Sequence, residues 1–257
     1  MHRLRGRERL SSMIAAGETP LGAFITSSDP STSVILGDVG FDFIVIDDEH
    51  GVLGARDILN HVRSAQATSM LSLVRVAAGE QRLIQAALDI GCDGVIVPKV
   101  STADQMRRAV RASRYRGGGR GMCSVVPATR WSQDGWSDFV DTSDAQVLVI
   151  PLIETTEGCR NFAEIVAVEG VAFAFFGFAD LANDLGIDMY ADRDQLLPRW
   201  QELRAQASRQ GVPLGVPLGA GFDGADWGTV TGDLNLLRTS AKAALADGRT
   251  RFAHVTP

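Results

Sequence analysis

Residues 81–100, QRLIQAALDIGCDGVIVPKV, change their pattern half-way. The first half spaces Leu83, Ile84, Ala87 and Leu88 three and four apart, as one face of a helix does, and closes on Gly91, a residue suited to a helix C-terminus. The second half, GVIVPKV at 94–100, is a nearly unbroken apolar run, as in a parallel strand covered on both faces. Similar runs stand at LGAFI (21–25), FDFIVID (41–47), MLSLVRV (70–76), AQVLVIPLIE (145–154), VAFAFFG (171–177), VPLGVPLG (212–219) and WGTVTGD (227–233). Helical patterns lie between them, among them ARDILNHVRSAQ, TADQMRRAVRASR, EGCRNFAEIVAVEG and DRDQLLPRWQELRAQASRQG. Strand followed by helix, repeated, means a parallel sheet. The 257 residues divided over eight strands give about 32 per unit, the size of a βα step. The expected fold is therefore α/β: one (β/α)8 TIM barrel domain over 1–257. A doubly wound open sheet is the alternative, but the first strand lacks a GxGxxG turn and no GxxxxGK[ST] loop occurs.

Composition narrows the function classes. Hydrophobic residues make up 45% and charged residues 22%, which suits a globular chain with a sizeable core and excludes collagen-like or wholly disordered sequence. Lys plus Arg number 25 against 31 Asp plus Glu, a net charge of −6, so no nucleic-acid or anionic-membrane partner is expected. No run of about 18 apolar residues is present to span a membrane. The three cysteines, Cys92, Cys123 and Cys159, are odd in number and lack CxxC spacing, which points to a reducing, cytoplasmic compartment. The arginine-rich N-terminus contains Glu8 and only a short apolar run, and reads as an amphipathic helix, not a targeting peptide. The longest irregular stretch, about Tyr115 to Asp144, contains RGGGRG and two tryptophans and reads either as a loop bordering a site or as a flexible connection.

Active sites of such barrels gather where the strands end. Here the second strand runs into Asp47-Asp48-Glu49-His50, the third ends near Arg75, the fourth near Lys99, the fifth at Glu154, and the sixth reaches Asp180 through Gly177-Phe178-Ala179. Glu154 and Asp180 lie one βα unit apart, so neighbouring strands bring both carboxylates to one rim, able to hold a hard divalent cation that a 2-oxo acid would chelate. Spacing leaves open the plainer alternative, in which each carboxylate caps or starts a helix. The turn at Gly177, Phe178, Ala179 and Asp180 leads into a helix whose backbone N–H groups suit a carboxylate.

IDDEHG, the VR at 74–75, ALDIGCDGVIVP, PLIET and FADLA, in this order, resemble the HpcH/HpaI family of metal-dependent pyruvate aldolases over nearly the whole chain. That resemblance implies a class II aldolase, a carbon–carbon lyase that cleaves and forms 4-hydroxy-2-oxo acids, giving pyruvate or hydroxypyruvate and an aldehyde. A bound Mg²⁺, Mn²⁺ or Co²⁺ would stabilise the enolate. By resemblance, Glu154 and Asp180 are the metal ligands and Arg75 bonds the keto oxygen. His50 is the acid/base group, Asp89 its partner across a subunit boundary, and Asp47 a supporting acid. Gly177, Phe178 and Ala179 bind the substrate carboxylate. The family also implies a homo-hexamer, a trimer of dimers with swapped C-terminal helices. The sequence departs from the family at Phe178, usually proline; at Lys99, commonly apolar; at Gly232-Asp233-Leu234, where a Ser-Asp-Thr type segment is usual; and after His50.

Other functions use some of the same residues. Lys99 is one of two lysines against 23 arginines and sits where a Schiff-base lysine of a class I aldolase could stand, or where a cation would neutralise the acids at the rim. Glu154 and Asp180 could serve a glycosidase, although few tryptophans are present to line a sugar cleft. A non-catalytic barrel that binds a keto acid is the remaining alternative.

Overall fold

In the computed structural model, which describes residues 5–252, eight parallel strands close into a barrel in sequence order, β1 through β8. The strands are β1 Leu21–Ile25, β2 Phe43–Asp47, β3 Leu71–Arg75, β4 Gly94–Val97, β5 Leu148–Ile153, β6 Ala174–Phe176, β7 Leu214–Pro217 and β8 Trp227–Gly232. Each falls inside the run expected to form it. The helices before β6 are α1 Gly6–Ala15, α2 Ser31–Val39, α3 Ala55–Ala67, α4 Gln81–Ile90, α5 Ala103–Ser113, α6 Trp136–Gln146, α7 Thr156–Arg160 and α8 Phe162–Val166. After it come α9 Phe178–Leu185, α10 Leu197–Gln210 and α11 Asp233–Phe252. The first four and last five residues of the expected 1–257 domain lie outside the described residues. Among the described residues no helix is long and apolar enough to cross a membrane.

Strand periodicity aims the site. Successive side chains alternate between the lumen and the surrounding helices. Phe43, Val45, Leu71, Leu73, Leu148, Ile150, Leu152, Phe173 and Phe175 form the apolar cluster inside the barrel, together with Trp227 and Leu10 of α1. The intervening Ile44, Ile46, Val74, Val149 and Ile153 pack outward against the helices. Counting on in twos from the lumen residues reaches Asp47, Arg75, Glu154 and Gly177, so those four positions face inward for the same reason that the phenylalanines do.

Two local features differ from the expected pattern. The stretch 115–144 is only partly irregular: it contains a 3-10 turn at Pro127–Thr129 and then enters α6, where Trp136 stacks on Phe139 with ring centroids 5.8 Å apart. The region written EGCRNFAEIVAVEG is two five-residue helices that meet at Asn161. Its side-chain amide donates to the Ser101 carbonyl at 2.8 Å, an alternative to continuing one helix.

His61 on α3 is fully buried, with Nδ1 2.8 Å from Ser33 Oγ and Nε2 2.9 Å from the Ser27 carbonyl, and ties α3 to the β1–α2 loop. Burial pushes its pKa below the ordinary 6.5, outweighing the Ser27 carbonyl and the charges of Asp233, Asp57 and Asp29. The folded protein therefore resists taking up a proton that the unfolded chain accepts, so stability falls as pH drops below about 6.5. Melting temperature should decline between about pH 6.5 and 5. His61→Gln should flatten that decline, and an equal decline in the variant would assign it to other groups.

Candidate active site

The geometry starts from register. Asp47 at the end of β2 pairs directly with Arg75 at the end of β3. Arg75 Nε donates to Asp47 Oδ1 at 2.9 Å and Nη2 to Oδ2 at 2.6 Å, a bidentate fork on a buried carboxylate. Asp47 Oδ1 also accepts the backbone N–H groups of Glu49 and His50, each at 3.2 Å, and so shapes the turn that presents both residues. Gly51 closes this turn by donating to the Asp47 carbonyl at 3.1 Å. A Cβ at position 51 would stand 2.1 Å from that oxygen, so only glycine fits.

Arg75 lies over the Phe24 ring at 5.1 Å. Its burial opposes the charged form, but the hydrogen bond and charge of Asp47, with Glu49 and Glu154, hold its pKa above the ordinary value. The guanidinium is permanently cationic. Nη1 has no side-chain or backbone partner among the described hydrogen bonds and remains for a ligand.

β5 and β6 are paired at Ile153↔Phe176, so the next residues, Glu154 and Gly177, stand side by side at the rim. A Cβ at Gly177 would lie 2.7 Å from Glu154 Oε2, so glycine leaves room on that side of the carboxylate. Glu154 Oε1 accepts the Lys99 backbone N–H at 2.8 Å. Burial pushes the Glu154 pKa up to about 7; the Lys99 N–H and Arg75 oppose this, while Asp180 and Glu49 add to it. The described protein groups leave a buried acid surrounded by other acids, a donor set suited to a cation.

Asp180 lies in the first turn of α9, whose N-cap is Gly177. The N–H groups of Phe178, Ala179 and Asp180 in that turn have no intrahelical acceptor. They border a cavity of about 340 Å³ that Asp47, Arg75 and Glu154 also line.

Residues 21–216 match the HpcH/HpaI aldolase/citrate lyase family. This chain belongs to that family. It is 37% identical over 175 residues to the 2-dehydro-3,6-dideoxy-6-sulfogluconate aldolase of Pseudomonas putida, covering 68% of each chain. It is 32% identical over 247 residues to the hydroxypyruvate/pyruvate aldolase of Delftia acidovorans, covering 91% of this chain and 89% of that one. The crystal structure of a HpcH/HpaI family protein from Burkholderia cenocepacia superposes with a TM-score of 0.85 at 28% identity, covering 94% of this chain and 99% of that one. The TIM barrel, the aldolase family and the assignment as a carbon–carbon lyase thus agree, and the glycosidase alternative falls away.

Within this HpcH/HpaI aldolase, one rim residue named in the sequence was given no role there. Glu49 is only 9% exposed in its side chain and stands 3.5 Å from Arg75 Nε, 3.8 Å from Lys99 Nζ and 3.9 Å from His50 Nε2. Its buried Oε2 has no hydrogen-bond partner. The sequence signal was the IDDEH turn itself, in which Asp47 and His50 drew attention and the glutamate between them did not. Among the described residues no group of three or more His, Cys, Asp or Glu is arranged to hold a metal ion.

Asp89 stands apart. It is near the C-terminal end of α4, about 12 Å of helix below the start of α4 at the rim, at the opposite end of its own barrel from His50. Arg120, from the RGGGRG segment, holds it: Nε and Nη2 donate to Asp89 Oδ1 at 3.0 and 2.8 Å, Nη1 donates to Ser143 Oγ at 3.1 Å, and the guanidinium lies over Tyr115 at 4.2 Å. The Arg120 side chain is 1% exposed and that of Asp89 19%. Part of the long 115–144 stretch is thus a clamp that presents a carboxylate on the surface.

Proposed function

We propose that the chain catalyses reversible aldol cleavage and addition of 4-hydroxy-2-oxo acids, with pyruvate or hydroxypyruvate as the enolising partner, assisted by Mg²⁺, Mn²⁺ or Co²⁺. The observation that carries this is the convergence of Glu154, Asp180, Arg75 and the free N–H groups of α9 on one small cavity.

Glu154 and Asp180 would hold the ion. Their oxygen-only chemistry, the room left by Gly177 and the raised pKa of Glu154 fit a hard cation that keeps open positions. Such an ion supplies a Lewis acid for the carboxylate and 2-oxo oxygens of the substrate. The N–H groups of Phe178 and Ala179 in the first turn of α9, with its positive end, would take the substrate carboxylate, whereas the Gly177 N–H expected to join them donates to the Ile153 carbonyl at 3.0 Å, so Gly177 contributes space, not a donor. Arg75, held by Asp47, directs its free Nη1 toward the negative charge that develops on the C2 oxygen. His50, more than half exposed at the mouth, would move the proton of the aldol hydroxyl, with Asp89 of a neighbouring copy beside it.

α11 supports assembly. Its base is fixed by Asp233, which accepts from Thr26 N at 3.1 Å and Oγ1 at 3.0 Å, and from Ser27 N at 3.1 Å and Oγ at 2.5 Å. Beyond that anchor Leu234, Leu237, Leu245 and Phe252 are 49%, 65%, 56% and 73% exposed. Apolar side chains so placed suit a helix that packs on another copy, as in a trimer of dimers. We take the protein as a cytoplasmic homo-hexamer acting on small molecules.

Lys99 is 59% exposed in its side chain and lacks the apolar surroundings that keep a Schiff-base amine neutral, which favours the metal route. The test is aldol cleavage across a panel of 4-hydroxy-2-oxo acids with metal-stripped and reconstituted protein. Activity should vanish with EDTA and return with Mn²⁺ or Mg²⁺, and full activity after verified metal removal would overturn the reading.

A further inference from the structure

Lys99 is built in an expensive conformation for an ordinary residue. Its φ is +52°, in the left-handed region where glycine is at ease and a residue with a Cβ is not. The backbone is held there because its N–H bonds Glu154 Oε1 at 2.8 Å. Glycine would meet that backbone requirement without strain, so a lysine side chain at this position calls for its own explanation. The chain otherwise uses lysine only at position 242, and chooses arginine 23 times.

The Lys99 ammonium is weakly committed within the protein. Its nearest acid, Glu49 Oε1, is 3.8 Å away, beyond hydrogen-bond distance, and among the described residues Nζ makes no hydrogen bond. Glu49 also faces Arg75 at 3.5 Å, so one glutamate stands between the proposed C2-oxygen group and a second, loosely paired cation. From Lys99 a cavity of about 490 Å³ opens away from the lumen between the loop before α4 and α5. Lys99, Arg108 and Arg111 border it, against Glu80 as the one acid, with Gln105 as a neutral donor and Gln81 turned to the Gly119 carbonyl. The groove therefore offers an anion a positive field and several N–H donors, and has room for a chain of several atoms.

We propose that Lys99 is a specificity-determining residue that binds an anionic group, a carboxylate or sulfonate, at the far end of the aldehyde half of the substrate. This rests on the aldolase reading of the same site. With the 2-oxo acid fixed beside Glu154 and Arg75, the aldehyde carbon chain leaves across Glu49 toward Lys99 and the groove. A compact ammonium on a flexible stem can follow acids of different length, which a planar guanidinium fork does less readily.

The experiment measures pyruvate addition to 4-oxobutanoate and to butanal, aldehydes of equal chain length that differ in the terminal charge. The readout is the ratio of kcat/KM for the anionic over the neutral aldehyde. Lys99→Met and Lys99→Gln should lower that ratio about tenfold, chiefly through KM for 4-oxobutanoate, Lys99→Arg should retain most of it, and Lys99→Glu should favour butanal. All four keep a Cβ at the left-handed position, so backbone strain is common to them. A ratio that stays constant in Lys99→Met and Lys99→Gln, because both aldehydes lose equally or neither loses, overturns the inference. So does a borohydride-trapped pyruvyl adduct on Lys99. Deuterium exchange at the pyruvate methyl with Mn²⁺, measured on the same preparations, separates the two failures. Exchange with an unchanged ratio rejects the role of Lys99 alone, and absence of exchange in the unaltered protein rejects the aldolase reading and this inference together.

Discussion

Arg75→Lys should slow deuterium exchange at the pyruvate methyl group by about a hundredfold or more, with metal binding retained. The guanidinium has two jobs in this geometry. Nε and Nη2 form the fork on Asp47, and only Nη1 is left for the oxygen that gains charge. The family resemblance assigns Arg75 to the keto oxygen, but register gives the planar pair of its bonds to Asp47. A lysine ammonium at position 75 can satisfy one of the two demands, not both: bound to Asp47 it lies short of the C2 oxygen, and turned to the oxygen it leaves Asp47, 3% exposed, without its main cation. Measuring proton exchange in place of overall cleavage isolates the step at C2 from aldehyde binding. Exchange at the unaltered rate would mean that Arg75 only holds the β2 turn, and a matching loss in Asp47→Asn would show how much of the effect comes through orientation.

The fold was legible because its signal is repeated eight times. Each strand is an apolar run between helix-spaced segments, and an error of three residues at one boundary, as at Val97 where β4 ends before Pro98, Lys99 and Val100, leaves the topology untouched. The inward site residues were legible for a related reason: Asp47, Arg75 and Glu154 are polar residues at the ends of apolar strands, each in phase with the lumen side chains before it. What could not be read was anything that depends on the path of the backbone outside the strands. Glu49 and Lys99 are brought together across 50 residues by two loops, and no spacing rule predicts that contact. The left-handed φ of Lys99 has no signature in a lysine. Arg120 stood in a glycine-rich stretch that resembled a flexible connection, yet it closes on Asp89 from 31 residues away, because Arg120 is buried and needs a carboxylate there. Asp89 sits in the last turn of α4, where the helix dipole disfavours an acid. The neighbouring guanidinium removes that conflict in the folded chain.

Chains carrying His50→Ala and chains carrying Asp89→Asn should each be nearly inactive alone, and should regain about a quarter of the unaltered activity when unfolded, mixed in equal amounts and refolded together. The expectation follows from where the two residues lie. His50 is at the carboxyl rim of its barrel and Asp89 near the lower end of α4, so a site that uses both must take them from different copies. With random assembly, half of the His50 positions are intact and half of the neighbouring Asp89 positions are intact, and a productive pair needs both. The choice of asparagine matters. Asp89→Ala would leave the Arg120 guanidinium, 1% exposed, without its acceptor, and a buried cation stripped of its partner destabilises by about 3–5 kcal/mol, so loss of activity could reflect unfolding. Asparagine retains an oxygen for the Arg120 fork and removes only the charge offered to a neighbour. His50 is 59% exposed, so its truncation perturbs little else. Light scattering should give a hexamer for both variants and for the mixture. A mixed hexamer with no recovered activity, or a fully active monomer, would overturn the shared site and confine the chemistry to residues of one barrel.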